Sequence, residues 1–186
     1  MDNGASSYRR FLNGDDSGLA EIVREYKDGL ILYLQSFGAD LASAEDLTED
    51  TFFRLMIKKP AFSGKSSFKS WLYAIGRHIA IDWTRKNSRI TDTPVEDLEN
   101  VLQDEEDLER SYIREETKIL VHRALGRLQT EYRQVIWLEY FEGFSHEETR
   151  RIMNKSSRQI TNLLYRAKQS LKAELLKEGL DDEEFR

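Results

Sequence analysis

The side chains best suited to chemistry in this chain lie between residues 157 and 168. They are hydroxyl, amide, guanidinium and ammonium groups, and spacings of three and four residues place them on one face of a helix. Such groups donate hydrogen bonds to phosphates and to the edges of DNA bases. The pattern therefore predicts non-covalent DNA recognition. The residues are Ser157, Arg158, Thr161, Asn162, Tyr165, Arg166 and Lys168.

The flanking residues predict a helix-turn-helix over residues 144–175. Ser145 with Glu148, and Ser156 with Gln159, each form an S-x-x-E/Q capping box, which marks a helix start. Asn154 between them tolerates the left-handed conformation of a tight turn. The second helix carries an apolar stripe opposite its polar face, as a helix packed on a core requires. The stripe comprises Ile160, Leu163, Leu164, Ala167, Leu171 and Leu175.

Catalytic and metal chemistry find little support in the sequence. His146 begins an H-E-x-x pattern, but Arg150 stands where the zinc-protease helix has its second histidine. The chain has no cysteine, no glycine-rich phosphate loop and no G-x-S-x-G motif. The acidic cluster of residues 45–50 lacks a loop of backbone carbonyls, so protein docking suits it better than a cation. We expect no catalytic residue, metal or cofactor.

Charge is distributed unevenly along the 186 residues, although the net charge is only −6. Residues 54–89 contain nine basic residues against Asp82 alone, a local net of +8. Residues 94–116 contain ten acidic residues against two arginines, a local net of −8. This asymmetry is typical of a protein that binds a polyanion with separate segments joined by an acidic connector.

Helical periodicity predicts an all-α fold of two small domains. The apolar stripe of the first predicted helix ends at Gly38. A second helix begins at Ser43 with Asp46 and reaches Pro60. Ser66 or Ser67 caps a third helix. Their predicted inward residues are Leu19, Ile22, Val23, Tyr26, Leu30, Tyr33, Leu34 and Phe37; Leu47, Thr51, Leu55 and Met56; and Phe68, Trp71, Leu72, Ile75, Ile79 and Trp83.

The C-terminal domain is predicted to contain about four helices. One runs from near Tyr112 to Leu128, Thr130 caps the next, and the helix-turn-helix follows. We assign residues 1–91 and 112–178 to the two domains, 92–111 to a flexible acidic linker and 179–186 to an acidic tail. No stretch has the roughly 20 apolar residues of a membrane helix, and the start of the chain lacks a signal sequence. We expect a soluble cytoplasmic protein without membrane insertion.

Three blocks resemble bacterial RNA polymerase sigma factors of the extracytoplasmic-function (ECF) type, group IV of the sigma-70 superfamily. AEDLTEDTFFRLM resembles the region 2 helix that docks on the polymerase β′ clamp. FSGKSSFKSWLYAIGRHIAIDWTRK resembles the segment that melts and reads the minus-10 element. LGRLQTEYRQVIWLEYFEGFSHEETRRIM, with the helix after it, resembles region 4, which reads the minus-35 element.

The resemblance implies a transcription initiation factor that binds core RNA polymerase at the β′ clamp and β flap, together with promoter DNA and an anti-sigma factor. Asp46, Asp50, Phe53 and Arg54 would meet polymerase. Ser157, Arg158, Thr161, Asn162, Tyr165 and Arg166 would contact the minus-35 element. The implied minus-10 contacts are Phe62, Ser63, Gly64, Lys65, Ser66, Arg77 and His78.

The chain departs from the family pattern at four positions. Many relatives carry asparagine at His78 and glycine at Asn154, while lysine and arginine are common at Thr161 and Leu163. These departures affect the promoter sequence rather than the function. The residues alone leave two alternatives: a helix-turn-helix regulator that binds its operator as a dimer, and a helical adaptor that binds an acidic protein or a membrane surface.

Limited proteolysis tests the predicted linker. Residues 92–110 have too few apolar groups to offset the entropy of ordering, so a glutamate-specific protease should cut there first. We expect two stable fragments on a denaturing gel. Strong amide-exchange protection throughout residues 92–110 would contradict the prediction.

Overall fold

The computed structural model describes residues 3–87 and 119–179, and the predicted linker lies outside these ranges. The described residues are helical and include no strand, which confirms the all-α prediction. Four helices form a first unit and four a second. Their bounds are α1 Asn3–Leu12, α2 Ser17–Gln35, α3 Leu41–Lys58, α4 Phe68–Asn87, α5 residues 119–126, α6 Thr130–Ile136, α7 His146–Met153 and α8 Ser157–Lys177.

Helix α1 was not predicted from the sequence. Its two large apolar anchors, Tyr8 and Phe11, are buried, and the Tyr8 hydroxyl donates to the Pro60 carbonyl at 2.7 Å. Gly18 lets α2 approach this helix, because a Cβ there would lie 2.2 Å from the Ser7 carbonyl oxygen. Burial raises the pKa of Tyr8 to about 12, so its hydroxyl stays protonated and remains a donor.

Two details of α3 differ from the prediction. The helix begins at Leu41, because the Asp40 carboxylate caps it by accepting from the Ser43 N–H at 2.8 Å. The predicted start at Ser43 was therefore late by about half a turn. Met56 is 40% exposed rather than inward, since the stripe of Leu47, Thr51 and Leu55 already fills the buried face.

In the second unit, Thr130 is the first residue of α6 and not its cap; Gln129 takes that position without a side-chain hydrogen bond. Beyond α6 the chain widens into a π-helical turn, Trp137–Phe141, where the Glu142 N–H donates to the Trp137 carbonyl at 3.0 Å. The ring of Trp137 stacks on that of Phe141 at 4.5 Å. This turn carries the chain to Glu142 and Phe144, which pack on the first unit.

Candidate nucleic-acid interface

Two capping boxes and a left-handed turn build the helix-turn-helix, as predicted. Ser145 with Glu148 starts α7, and Ser156 with Gln159 starts α8. Asn154 adopts φ of +51°, the conformation that ends α7 and turns the chain toward α8. Each cap satisfies backbone N–H groups that a helix start otherwise leaves unpaired. The orientation of α8 is therefore fixed at its first turn.

The face of α8 chosen from the sequence is exposed along its length. The opposite stripe is anchored by Ile160, Ala167 and Leu175, which are buried, while its three other leucines are half-buried. Tyr165 is 67% exposed, an unusual position for a large ring without a partner surface. The exposed candidates are Ser157, Arg158, Thr161, Asn162, Tyr165 and Arg166.

His146 ties the start of α8 to the rest of the unit. One ring nitrogen lies 3.1 Å from a Glu139 carboxylate oxygen, and the other lies 3.3 Å from the Ser157 carbonyl. The Thr161 hydroxyl donates to the same carbonyl at 3.0 Å. This contact was not predicted, because the spacing between Glu139 and His146 matches no known motif. No cluster of three metal-ligating side chains occurs within residues 3–87 and 119–179.

Arg150, which stands where the zinc-protease motif has its second histidine, forms an ion pair with Glu147. Its guanidinium donates twice to Glu147 at 2.7 Å, and Arg151 donates to the same carboxylate at 3.0 Å. These hydrogen bonds, that from Arg150 above all, lower the pKa of Glu147 to about 2 despite the opposing effect of burial. The Glu147 carboxylate is thus paired with two arginines on its own helix.

An exposed acidic and apolar surface lies on α3. Asp46, Asp50, Phe53 and Arg54 all face outward, and the Phe53 ring is 57% exposed. Ile57 beside it is 55% exposed. A mainly apolar groove of about 450 Å³ runs between this face and α4; its lining is Asp50, Phe53, Arg54, Ile57, Lys58, Pro60 and Ile79.

The loop before α4 combines an aromatic floor with an open rim. Phe62 is half-buried, with its ring 5.6 Å from Phe68 and 5.1 Å from Trp71. Ser63, Gly64 and Lys65 are exposed, and Ser66 is half-buried. Gly64 has φ of +70°, in the left-handed region that favours glycine.

The two α4 candidates differ in availability. His78 is exposed, and its ring nitrogen lies 2.6 Å from the Ala74 carbonyl. Arg77 is half-buried beside Tyr33. Burial raises the pKa of Tyr33, while the nearby charge of Arg77 acts to lower it. Arg77 is therefore the less accessible of the two candidates.

The two units contact each other beside this loop, which was not predicted from the sequence. The Ser67 hydroxyl donates to Glu148 at 2.5 Å, and Arg151 donates to the Lys65 carbonyl at 2.7 Å. The Lys69 ammonium lies 2.8 Å from the Glu142 carboxylate. The partners are more than seventy residues apart in sequence, so no local pattern reports them.

Comparison with known proteins identifies the family. The family models for Sigma-70 region 2 and Sigma-70, region 4 match residues 22–90 and 118–171. The chain belongs to the sigma-70 family. ECF RNA polymerase sigma factor SigX of Bacillus subtilis is 31% identical over 172 residues, covering 87% of this chain and 86% of that protein. SigM of the same organism is 30% identical and covers 88% and 98%.

The fold agrees with a solved sigma factor. The sigma factor RpoE of Bartonella quintana, crystallised with the anti-sigma factor NepR, matches with a TM-score of 0.62 and 25% identity over 85% of this chain and 96% of that one. The protein is therefore a transcription initiation factor of the ECF type, as the sequence resemblance implied. The family matches do not favour the dimeric regulator or the adaptor.

A pair of substitutions at Asn154 tests the turn. Valine is disfavoured at positive φ, so Asn154→Val should lower the free energy of unfolding by about 1–2 kcal/mol. Asn154→Gly should change it little, because glycine adopts this conformation without steric cost. Urea unfolding followed by circular dichroism measures both. Equal stability of the two variants would contradict the importance of the left-handed turn.

Proposed function

We propose that this sigma factor binds core RNA polymerase through α3 and promoter DNA through α8 and the loop of residues 62–66. The observation that carries the proposal is the uninterrupted exposure of six hydrogen-bonding side chains on α8, whose start is fixed by the capping box of Ser156 and Gln159. DNA-binding helices of this class read bases with residues of their first turns. The assigned roles are non-covalent, and we propose no enzymatic activity.

Polymerase would dock on the α3 surface. Asp46 and Asp50 offer charge, while Phe53 offers a large exposed ring beside the apolar groove. Burying such a ring supplies affinity, and charges around it supply orientation and rate. By its family resemblance, this surface would meet the β′ clamp, and the second unit would meet the β flap.

The minus-10 element would enter the loop before α4. The Phe62 ring supplies an apolar floor, and Ser63 and Ser66 of the same loop supply hydroxyl groups; a base extruded from the stack needs both features. Lys65 and the basic residues of α4 would bind the phosphates of the separated strand. His78 is the more accessible of the two α4 candidates, because it is exposed whereas Arg77 is half-buried.

An anti-sigma factor is proposed as a further partner, since the solved relative was crystallised with one. Within residues 3–87 and 119–179, every helix is too short or too polar to cross a membrane. A cytoplasmic location is proposed because core polymerase and promoter DNA are its expected partners.

Charge reversal on α3 tests polymerase docking. Asp46→Lys with Asp50→Lys should weaken core binding about tenfold, because both carboxylates are exposed on the proposed docking surface. Competition against a reference sigma factor measures the affinity. Glu25→Lys with Asp28→Lys is the matched control, since it reverses two exposed carboxylates on α2. The assignment is wrong if both pairs have the same effect.

Alanine substitutions on α8 separate base contacts from phosphate contacts. Arg158→Ala and Asn162→Ala should each cost about 1–3 kcal/mol and alter preference at particular base pairs. Arg166→Ala, two turns beyond Arg158, should weaken all sequences alike and flatten the salt dependence. Holoenzyme binding to a randomised minus-35 library at several salt concentrations distinguishes these effects.

Lys177→Ala serves as the control for this series, because it removes a charge from the same helix roughly 28 Å beyond Arg158. The α8 assignment fails if neither Arg158→Ala nor Asn162→Ala changes sequence preference. Run-off transcription with purified core polymerase tests the whole proposal. An operator-binding dimer would instead bind DNA equally well without polymerase.

A further inference from the structure

His146 bridges the π-helical turn and the first turn of α8. Its side chain is 39% exposed, whereas the Glu139 side chain that it contacts is only 15% exposed. A largely buried carboxylate is costly unless a hydrogen-bond donor or a cation faces it. In the part of the chain that the structure describes, the partner of this carboxylate is Nδ1 of His146, at 3.1 Å. The bridge therefore pairs a buried carboxylate and also reaches the helix proposed to read DNA.

Both nitrogens of the His146 ring face hydrogen-bond acceptors. Nδ1 lies beside the Glu139 carboxylate, and Nε2 lies 3.3 Å from the Ser157 carbonyl oxygen. A neutral imidazole carries hydrogen on one nitrogen and can donate to one of these oxygens, whereas the imidazolium ion donates to both. The surroundings therefore suit the protonated ring. Histidine is the side chain that ordinarily changes its charge between about pH 5 and 8.

The Thr161 hydroxyl connects this bridge to the DNA-facing surface. It donates to the Ser157 carbonyl at 3.0 Å, and its oxygen lies 3.4 Å from Nε2 of His146. A neutral ring keeps its hydrogen on Nδ1, because the Glu139 carboxylate is a stronger acceptor than a carbonyl. Nε2 then becomes an acceptor, and the Thr161 hydrogen can turn from the carbonyl to the ring. That turn redirects the lone pairs that Thr161 presents to DNA.

The other charged groups on the elements packed around His146 have partners of their own or face solvent. α8 meets the ring through a carbonyl and a hydroxyl, and Arg158 beside them is exposed. Within residues 3–87 and 119–179, Glu139 is thus the carboxylate in direct contact with the ring. The groups already paired on α7 and from the first unit are Glu147 with Arg150 and Arg151, Glu148 with Ser67 and Ser145, and Lys69 with Glu142.

We propose that Glu139 and His146 are positioning residues for minus-35 recognition, and that the protonated His146 ring sets both the start of α8 and the direction of the Thr161 hydroxyl. Neither residue contacts DNA in this arrangement; they act through Ser157 and Thr161. Base preference at the minus-35 element therefore changes between about pH 6 and pH 8. This inference rests on the proposed function of α8.

Holoenzyme binding to a randomised minus-35 library at about pH 6 and about pH 8 tests the inference. The unmodified protein should change its preference several-fold at the base pairs nearest Thr161 and little elsewhere. His146→Gln keeps a hydrogen-bonding side chain without a titratable group, so its preference should be the same at both pH values. His122→Gln is the matched control, because it removes another histidine of the same unit, one near the rings of Trp137 and Phe141. It should retain the pH effect.

Glu139→Gln separates positioning from simple electrostatics. If charge alone matters, removing a negative charge near DNA should strengthen binding to all sequences. If Glu139 positions the His146 ring, the same substitution should weaken binding to the preferred sequence several-fold near pH 6 and remove the pH-dependent preference. The pH comparison on the unmodified protein needs no substitution, so it remains a test if a variant fails to fold.

The inference is overturned if base preference in the unmodified protein is the same at both pH values, or if pH changes affinity equally for all sequences. A pH effect that survives in His146→Gln, or stronger binding by Glu139→Gln, would also overturn it. The proposed function stands in these cases as long as Arg158→Ala and Asn162→Ala shift base preference. If neither of those two shifts it, the proposed function fails together with this inference, so the two failures are distinguishable.

Discussion

The need to pair the N–H groups at each helix start organises this all-helical chain. Asp40, Ser145 and Ser156 meet it with side chains at the starts of α3, α7 and α8. At α4 the Ser67 hydroxyl accepts from the Ser70 N–H at 3.3 Å and donates to Glu148, which belongs to the α7 capping box. The start of one helix is therefore hydrogen-bonded to the start of another, which belongs to the other unit.

Features determined by neighbouring residues were predictable. The two capping boxes, the left-handed Asn154 and the exposed face of α8 depend on side chains at most four residues apart, and all three were predicted. The missed α1 has only Tyr8 and Phe11 as large buried anchors, too few for a recognisable stripe. The π-helical turn was also missed, because its residues favour an ordinary helix and tertiary packing sets the wider turn.

The sequence could not report long-range pairs. Lys69 and Glu142 are each ordinary surface residues by composition, and their pairing depends on how two helical units meet. The segment around α4 is basic, as its sequence indicates, and this charge was interpreted as that of a polyanion-binding segment. Part of it neutralises a carboxylate from the other unit. The roles proposed for individual residues in binding polymerase and promoter depend on surfaces of absent partners, which no fold prediction supplies.

The π-helical turn of Trp137–Phe141 also determines the direction in which the side chains after it point. An α-helix rotates by about 100° per residue, so the extra residue in a wide turn offsets the direction of every side chain after it. Deleting one residue from this turn would swing Glu142 by roughly that angle away from Lys69 while leaving the sequence of α7 and α8 unaltered. A change in the length of this turn would thus alter how firmly the two units associate without replacing any of the residues proposed to contact DNA.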